Sequence, residues 1–485
     1  MSYKATIGIE CHVQLKTATK LFAAVGNDAR TAAPNTLISP ICLGMPGALP
    51  VLNKAAVELA AKAAFALNTR PQKFSKFDRK HYFYPDLPLG YQITQFEEPI
   101  ILGGHVDIEV AGEKKRINIT RAHLEADAGK STHPEGADHS LVDLNRAGTP
   151  LLEIVSEPDM HSSAEAAAFA HELYLLMSYY DVSDADLYHG NMRFDVNVSV
   201  SKNDELGTRT ETKNLNSFRS VAGAVDYEIK RQTELLESGG TVVQETRGWD
   251  DNKLATFSQR TKEDAHDYRY FPDPDLPPVV LDDKFIARIE GEINEGPSQL
   301  RDKFSTLGVS KEVVNDLVNI PSTARILSSL LNRADADIVK RVAFWLLEAQ
   351  EEFMQMNEAA QQEFVNDTEK SKPEVTEEMF LELSKMTAEG TLSSTSAKDV
   401  LRDMFKTGKH PLEIAEAKNV IQESDESALI MIVEQVLSEN PKAAEDIKNG
   451  ELKAIGFLVG QVMKASKGKA NPSVVTDLIK KQLGV

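Results

Sequence analysis

Cysteine is scarce in this sequence, and long apolar runs are missing. The 485 residues include two cysteines, Cys11 and Cys42, too few for a disulfide framework or a paired-cysteine metal motif. No apolar run approaches the roughly 20 residues that span a bilayer, and the opening MSYKATIGIE has no apolar signal region. The sequence therefore predicts a cytoplasmic protein.

Positively charged residues are also fewer than negatively charged ones, 54 against 74. The net charge of -20 argues against a protein that coats nucleic acid non-specifically, because phosphate binding requires clustered lysine and arginine. The exception is the segment 452–485, which is locally +5. Its lysines are Lys453, Lys464, Lys467, Lys469, Lys480 and Lys481, against Asp477 alone. This tail suggests a polyanionic partner, and a solvated helical face is the alternative.

Phosphate-binding loops and reactive thiols are absent in their usual form. Gly129-Lys130-Ser131 ends like a P-loop, but Leu124 stands where that motif requires glycine. Cys11 falls on the apolar face of its strand with Ile9 and Val13, which predicts a buried and unreactive thiol. If a nucleotide binds, its phosphates must be held by a metal and by side chains such as Arg193 or Lys213.

Three segments instead show strand alternation with chemically unusual polar faces. The runs 7–15, 192–200 and 121–127 alternate with period two, which predicts strands. Their polar faces carry Glu10, His12 and Gln14; Arg193, Asp195, Asn197 and Ser199; and His123, Glu125 and Asp127. Carboxylates and imidazole brought together in this way would suit Mg²⁺. The alternative is three unrelated surface strands, since spacing alone cannot bring them together.

The pattern of elements predicts an α+β protein, and the length suggests roughly three domains. Short alternating runs dominate up to about residue 290, whereas long segments of helical period follow Pro297. We expect an α+β domain at 1–295, a helical domain at 296–410 and a small helical domain at 411–485.

Two segments rich in proline and aromatic residues, 75–92 and 267–280, are predicted to be extended. They either serve as scaffold or form the walls of a binding groove, in which Tyr, Arg and Lys side chains can stack and pair with nucleotides. On the second interpretation, Lys80 and Tyr82 join Arg193, Asn197 and Lys213 as candidate substrate- or ATP-binding residues.

Long motifs in this order resemble the B subunits of the aspartyl/glutamyl-tRNA amidotransferases. They are KFDRKHYFYPDLPLGYQI, VDLNRAGTPLLEIVSEPDM, MRFDVNVSV, TETKNLNSF, QETRGWD, DYRYFPDPDLPP and, near the end, FLVGQVMKASKGKANP. The resemblance covers nearly the whole chain. It implies a ligase of translation that uses ATP to phosphorylate the side-chain carboxylate of Glu on tRNA(Gln) or Asp on tRNA(Asn). Ammonia from glutamine, released by a partner amidase, then forms the amide.

The resemblance also implies a heterotrimer, in which the partners are a glutamine-hydrolysing amidase (the A chain) and a small third protein (the C chain). The resemblance implies that 1–295 is a cradle domain around an antiparallel sheet, which holds the tRNA acceptor end. It also implies that 411–485 is a tail domain that grips the tRNA body, which makes Lys464, Lys467 and Lys469 candidate tRNA contacts. Phosphorylating a carboxylate joins two anions, so Mg²⁺ is expected. We assign it to Glu10, His12, Glu125 and Asp195 as metal ligands and catalytic residues.

One family feature is missing. Many members carry a four-cysteine zinc knuckle, whose positions here hold Ala23, Val25, Ser39 and Cys42. We therefore expect no structural zinc. Two rival hypotheses remain, a metal-dependent phosphohydrolase and a non-catalytic protein that serves tRNA binding or assembly.

Overall fold

The chain divides into two compact units, Met1–Pro297 and Ser298–Val485. The computed structural model describes residues 3–134, 136–203, 205–261, 268–348, 375–422, 426–449, 451, 453–466 and 469–485. The first unit combines sheets with helices, and the described part of the second is helical, so the predicted α+β class is confirmed. The further division at residues 410 and 411 stays a prediction.

The strands of the first unit lie where apolar and polar residues alternate. They are β1 Lys4–Gln14, β2 Phe74–Ser75, β3 Asp78–His81, β4 Tyr91–Thr94, β5 Ile101–Leu102, β6 His105–Val110, β7 Glu113–Ala126, β8 Lys130–Thr132, β9 Leu141–Asp143, β10 Pro150–Ser156, β11 Met192–Ser201, β12 Thr210–Leu215, β13 Glu245–Asp250, β14 Ala255–Thr261, β15 Phe271–Pro272 and β16 Val279–Val280. The three runs predicted from alternation are thus β1, β11 and part of β7.

A nine-stranded sheet forms the centre of the described part of this unit. Its order is β14-β13-β12-β11-β1-β10-β7-β5, with β6 also paired to β7. The sheet is antiparallel at its pairings except between β12 and β13, which run parallel. A smaller sheet, β15-β3-β4, brings together the two proline- and aromatic-rich segments.

Helices accompany the sheets of the first unit, namely α1 Lys54–Ala66, α2 Ser163–Tyr179, α3 Phe218–Glu237 and α4 Asp283–Gly291. The apolar face of β1, including Ile9, Cys11 and Val13, is buried in one core with residues of α2 and α3. Because that face is covered by helices, the site must be sought on the opposite, polar face. The burial of Cys11 confirms its predicted place in the core.

The second unit is built from helices among its described residues. They are α5 Pro297–Ser305, α6 Lys311–Val318, α7 Pro321–Leu331, α8 at 336–348, α9 Glu377–Ala388, α10 Ser394–Thr407, α11 Pro411–Ala417, α12 Glu426–Glu439, α13 Pro441–Lys448, α14 Ala454–Ala465 and α15 Pro472–Leu483. Residues 336–356 show an apolar pattern of helical period, and those after residue 348 lie outside the described part. The last four helices share a separate hydrophobic core that includes Val433, Leu458 and Ile479.

Candidate functional site

Strand register brings the predicted polar residues together across three neighbouring strands. Glu10 of β1 lies directly opposite Asp195 of β11, and His12 lies opposite Arg193 on the same neighbour. On the other side of β1, His12 faces Glu153 of β10. Because side chains alternate between the faces of a sheet, these residues all project from the polar face.

A first group of possible ligands forms around His12. Its Nε2 atom lies 3.4 Å from Oε2 of Glu153 and 3.7 Å from Oε1 of Glu125. His123 of β7 reaches the same two carboxylates, with Nε2 3.7 Å from each. His12, Glu125 and Glu153 can point one ligand atom each at a common centre, with these atoms within 4.8 Å of one another.

The charge state of His12 follows from these surroundings. Burial lowers the pKa of His12, but the hydrogen bond and negative charge of Glu153, aided by Glu125 and Asp195, outweigh it and raise the pKa to about 9. Without a cation, His12 is therefore protonated at neutral pH and holds the carboxylates by charge. The predicted ligand role of His12 requires loss of that proton.

A second group lies around Glu10, two residues before His12 in β1, and consists of carboxylates alone. Glu10, Asp195 and Glu211 of β12 can also point ligand atoms within 4.8 Å of one another. Lys213 bridges two of them, with Nζ 3.0 Å from Oδ2 of Asp195 and 3.0 Å from Oε1 of Glu211. The backbone N–H of Asn214 donates to the other oxygen of Asp195 at 2.8 Å.

Glu10 is the least compensated member of this group. Burial raises its pKa, and the negative charges of Glu153, Glu211 and Asp195 raise it further, against the opposing effect of Lys213. No ion pair joins Glu10 to another residue in the part of the chain that the structure describes. The group thus carries more buried negative charge than its neighbours neutralise.

The donor set fits a hard divalent cation. Oxygen ligands from carboxylates are what Mg²⁺ takes in proteins, and it usually keeps waters for substrate phosphates. The Glu10 group offers oxygen atoms alone, and a cation there would relieve the repulsion that raises the pKa of Glu10. The four predicted ligands lie close together but are divided between the two groups, and their roles stay predictions.

The predicted substrate-binding residues border both groups. Nδ2 of Asn197 donates to Oε1 of Glu10 at 3.0 Å, and Nη2 of Arg193 lies 3.2 Å from Oδ1 of Asp127. Tyr82 has its hydroxyl 3.5 Å from Oε1 of Gln92.

Lys80 adds a cation on the Glu125 side of the site. Burial lowers the pKa of Lys80, but the charges of Glu125, Tyr270 and Glu153 outweigh it and raise the pKa overall. The ammonium lies 4.9 Å from the ring centroid of Tyr268, a cation–π contact.

The remaining predicted residues lie elsewhere. Lys464 is exposed at the end of α14, and Nζ of Lys469 donates to Oδ1 of Asn419 at 2.9 Å. Lys467 lies outside the described residues. At the zinc-knuckle positions, the thiol of Cys42 lies 3.3 Å from the hydroxyl of Ser39.

Sequence reasoning did not single out two members of the groups, Glu153 and Glu211. Glu153 interrupts the apolar run Leu151 to Val155, and a lone carboxylate inside a buried strand is a usable signal. Glu211 lies two residues before Lys213 in β12, so the two side chains share one face of that strand. Neither signal is specific until the pairing of β10 and β12 with their neighbours is known.

Two family models match the chain over most of its length. One described as the GatB/GatE catalytic domain matches residues 5–287, and one described as the GatB domain matches residues 336–483. The chain belongs to this family. The predicted transamidation function, in a C–N bond-forming ligase of translation, is thereby confirmed at the level of the family.

Relatives with curated names match end to end. A protein of Caldicellulosiruptor bescii is 45% identical over 488 residues, covering 100% of this chain and 99% of its own. Proteins of Thermoanaerobacter pseudethanolicus and Moorella thermoacetica are 47% and 44% identical, each with 100% of both chains covered. All three are named as the B subunit of an aspartyl/glutamyl-tRNA(Asn/Gln) amidotransferase.

Family membership carries general consequences. An amidotransferase of this kind uses ATP and works as one part of a larger assembly together with tRNA. Among the described residues, no helix combines the length and apolar character needed to cross a bilayer.

Proposed function

We propose that this chain phosphorylates the side-chain carboxylate of Glu on tRNA(Gln), of Asp on tRNA(Asn), or of both. Ammonia then displaces the phosphate and leaves the amide. The observation that carries the proposal is the buried, incompletely neutralised carboxylate group of Glu10, Asp195 and Glu211. Such a group suits a reaction in which a metal-bound nucleotide phosphate meets a second anion.

The residues that would hold Mg²⁺ are the carboxylates of the Glu10 group, with Glu125 and Glu153 beside them. A bound Mg²⁺ would neutralise the charge that develops between the nucleotide phosphate and the substrate carboxylate. His12 holds Glu153 in place by hydrogen bond and charge, and Glu125 by charge.

The cations around the groups would orient the two anionic substrates. Lys213 stands at the Glu10 group, Arg193 lies next to His12 across the strand pair, and Lys80 approaches Glu125. We assign Lys213 and Arg193 to the nucleotide phosphates and Lys80, with Tyr82, to the side where the substrate carboxylate enters. Asn197 keeps Glu10 in position through its amide.

The partners in this proposal are the amidase that releases ammonia, the small third protein of the heterotrimer and tRNA, working in the cytoplasm without a structural zinc in this chain. ATP turnover measured with and without misacylated tRNA tests it directly. We expect turnover and amide formation that depend on misacylated tRNA. Phosphate release without tRNA would favour a phosphohydrolase, and no turnover in the complete assembly would favour a non-catalytic role.

The tail lysines give a separate test of tRNA binding. Lys464 lies in the last turn of α14 and Lys469 follows that helix in the chain, and we propose that these lysines and Lys467 contact tRNA phosphates. Replacing all three by alanine should raise the apparent KM for tRNA several-fold and flatten its salt dependence, because fewer counterions are released on binding. Replacing Lys311 and Lys340, which lie outside the segment 464–469, is the control. Unchanged tRNA affinity in the triple variant would rule out this role.

A further inference from the structure

A β-bulge in β7 changes which side chains of that strand face the site. Val155 of β10 lies opposite Arg121 of β7. The next residue along β10, Ser156, lies opposite Ile119, so Thr120 is an extra residue in β7. Bulges re-aim side chains and are frequent at sheet edges and next to active sites. Arg121 is the first residue of β7 after this bulge.

The two sides of the bulge bury opposite sets of residues. Before it, the odd-numbered Ile117 and Ile119 lie in the hydrophobic core. After it, the even-numbered residues enter the core, and His123 and Glu125 lie on the polar face, where they contact each other. Arg121 therefore stands on the polar face beside His123, about 7 Å from it along the strand.

The sheet is open to solvent at this position. Leu102 of β5 lies directly opposite Arg121 and is 45% exposed, and Arg121 itself is only partly buried. Cross-strand partners share one face of a sheet, so the exposed side chain of Leu102 borders that of Arg121. A ligand can therefore reach Arg121 from this edge.

The guanidinium of Arg121 makes no hydrogen bond or ion pair with any residue that the structure describes. Of its three nitrogen atoms, Nε is enclosed and the two at the end of the side chain are not. Other cations of this face are engaged, since Arg193 pairs with Asp127 and Lys213 with Asp195. An enclosed donor without an acceptor is costly, so Arg121 favours a ligand that supplies oxygen atoms and negative charge.

The place of Arg121 in the sheet separates it from the nucleotide. Lys213, which we assign to the nucleotide phosphates, lies on β12, and β10, β1 and β11 stand between that strand and β7. Four strand spacings amount to roughly 19 Å, too far for both side chains to hold one phosphate group. Lys80, which we assign to the side where the substrate carboxylate enters, approaches Glu125 of the same strand as Arg121. Arg121 therefore lies on the substrate side.

We infer that Arg121 binds the side-chain carboxylate of the amino acid esterified to the RNA and thereby distinguishes the acidic substrate from the amide product. A guanidinium can donate two parallel N–H groups to a carboxylate, which makes the pair bidentate and charge-assisted. The amide that the reaction forms is neutral and presents N–H donors in place of one oxygen, so it fits these donors poorly. Arg121 thus favours binding of the substrate and release of the product. This inference rests on the proposed function.

The binding test uses the complete assembly without ATP and RNA ligands that differ only in the amino acid at the 3′ end. Two pairs are compared, glutamate with glutamine on tRNA(Gln) and aspartate with asparagine on tRNA(Asn), each joined by a stable amide linkage. Fluorescence anisotropy gives Kd for wild type, Arg121→Gln, Arg121→Lys and the control Arg116→Gln. The control removes a charge from the same strand, where Arg116 pairs with Asp107 at the surface.

Wild type and the control should bind the acidic form of at least one pair about tenfold more tightly than its amide form. In Arg121→Gln the preference should largely disappear through weaker binding of the acidic form, and Arg121→Lys should keep part of it. Equal weakening of both forms would overturn the inference, because it would place Arg121 against the RNA backbone or in the fold. A wild type without the preference, or an unchanged preference in Arg121→Gln, would overturn it too. Melting temperatures check that the variants fold.

Kinetics supply a second readout. With ATP present, Arg121→Gln should raise the KM for the charged RNA about tenfold. The inhibition constant of the amide-charged RNA and the KM for ATP should stay nearly unchanged. A rise in the KM for ATP alone would assign Arg121 to the nucleotide and overturn the inference. If the wild-type assembly formed no amide, the proposed function would fail, while the binding comparison, which needs no ATP, would still decide whether Arg121 distinguishes acid from amide.

Discussion

The acidic clusters around Glu10 and around Glu228 both lie within the first unit, and they differ in how their charge is neutralised. In the cluster around Glu228 of α3, Oε2 accepts hydrogen bonds from Thr210 and Arg231, each at 2.7 Å, and Oε1 lies 3.0 Å from Nε of Arg247. In the cluster around Glu10, the carboxylate accepts a hydrogen bond from an amide and has no ion-pair partner in the described part of the chain.

The pKa values of the two carboxyls shift in opposite directions. Burial raises the pKa of Glu228, but the hydrogen bonds of Arg231, Thr256 and Thr210 outweigh it and lower the pKa to about 2. For Glu10, burial and the neighbouring carboxylates raise the pKa. Burial of charge therefore does not identify a site by itself. Incomplete compensation separates a binding group from a structural one.

The largest effect is expected at Glu10. Glu10→Gln keeps volume and removes one uncompensated charge, so tRNA-dependent ATP turnover should fall at least about 10³-fold, because the metal would be bound more weakly and would no longer be held against the reacting phosphate. The melting temperature should stay the same or rise slightly, since repulsion is relieved. Asp195→Asn should lower turnover comparably. Near-normal turnover of Glu10→Gln at saturating Mg²⁺ would contradict the assignment.

The matched change at Glu228 should act on stability instead. Glu228→Gln removes the negative charge that Arg231 and Arg247 share and leaves Arg247 with Glu245 alone. Breaking a buried pair costs up to roughly 3–5 kcal/mol of unfolding free energy. Chemical denaturation measures this loss. Turnover per folded molecule should stay near that of wild type, and a variant of normal stability but low turnover would place Glu228 in the site.

The sequence alone pointed to the region around Glu10 but not to the cluster around Glu228. The alternation of β1, β7 and β11 identified Glu10, His12, Glu125 and Asp195 from single segments. Glu153 and Glu211 depended on pairing between strands far apart in the chain, which periodicity within a segment cannot determine. The helix α3 was not singled out either, so the Glu228 cluster between that helix and β12–β14 was not foreseen.

The pH dependence of stability should separate the two clusters. The pKa of Glu228 is about 2 in the folded chain against an ordinary 4.5, so its carboxylate contributes about 3 kcal/mol that is fully present above pH 4.5. That contribution is lost as pH falls towards 2. The difference in unfolding free energy between wild type and Glu228→Gln should therefore shrink between pH 5 and pH 3. A constant difference over this range would mean that the carboxylate is not held in its charged form.

Direct measurement of Mg²⁺ binding tests the central claim, that the incompletely neutralised group at Glu10 holds a divalent cation. Isothermal titration with Mg²⁺ is compared for wild type, Glu10→Gln and Glu228→Gln at a pH where all three are folded. Binding should weaken at least about tenfold in Glu10→Gln, a change of about 1.4 kcal/mol, and stay as in wild type in Glu228→Gln. Equal Mg²⁺ affinity in wild type and Glu10→Gln would contradict the account.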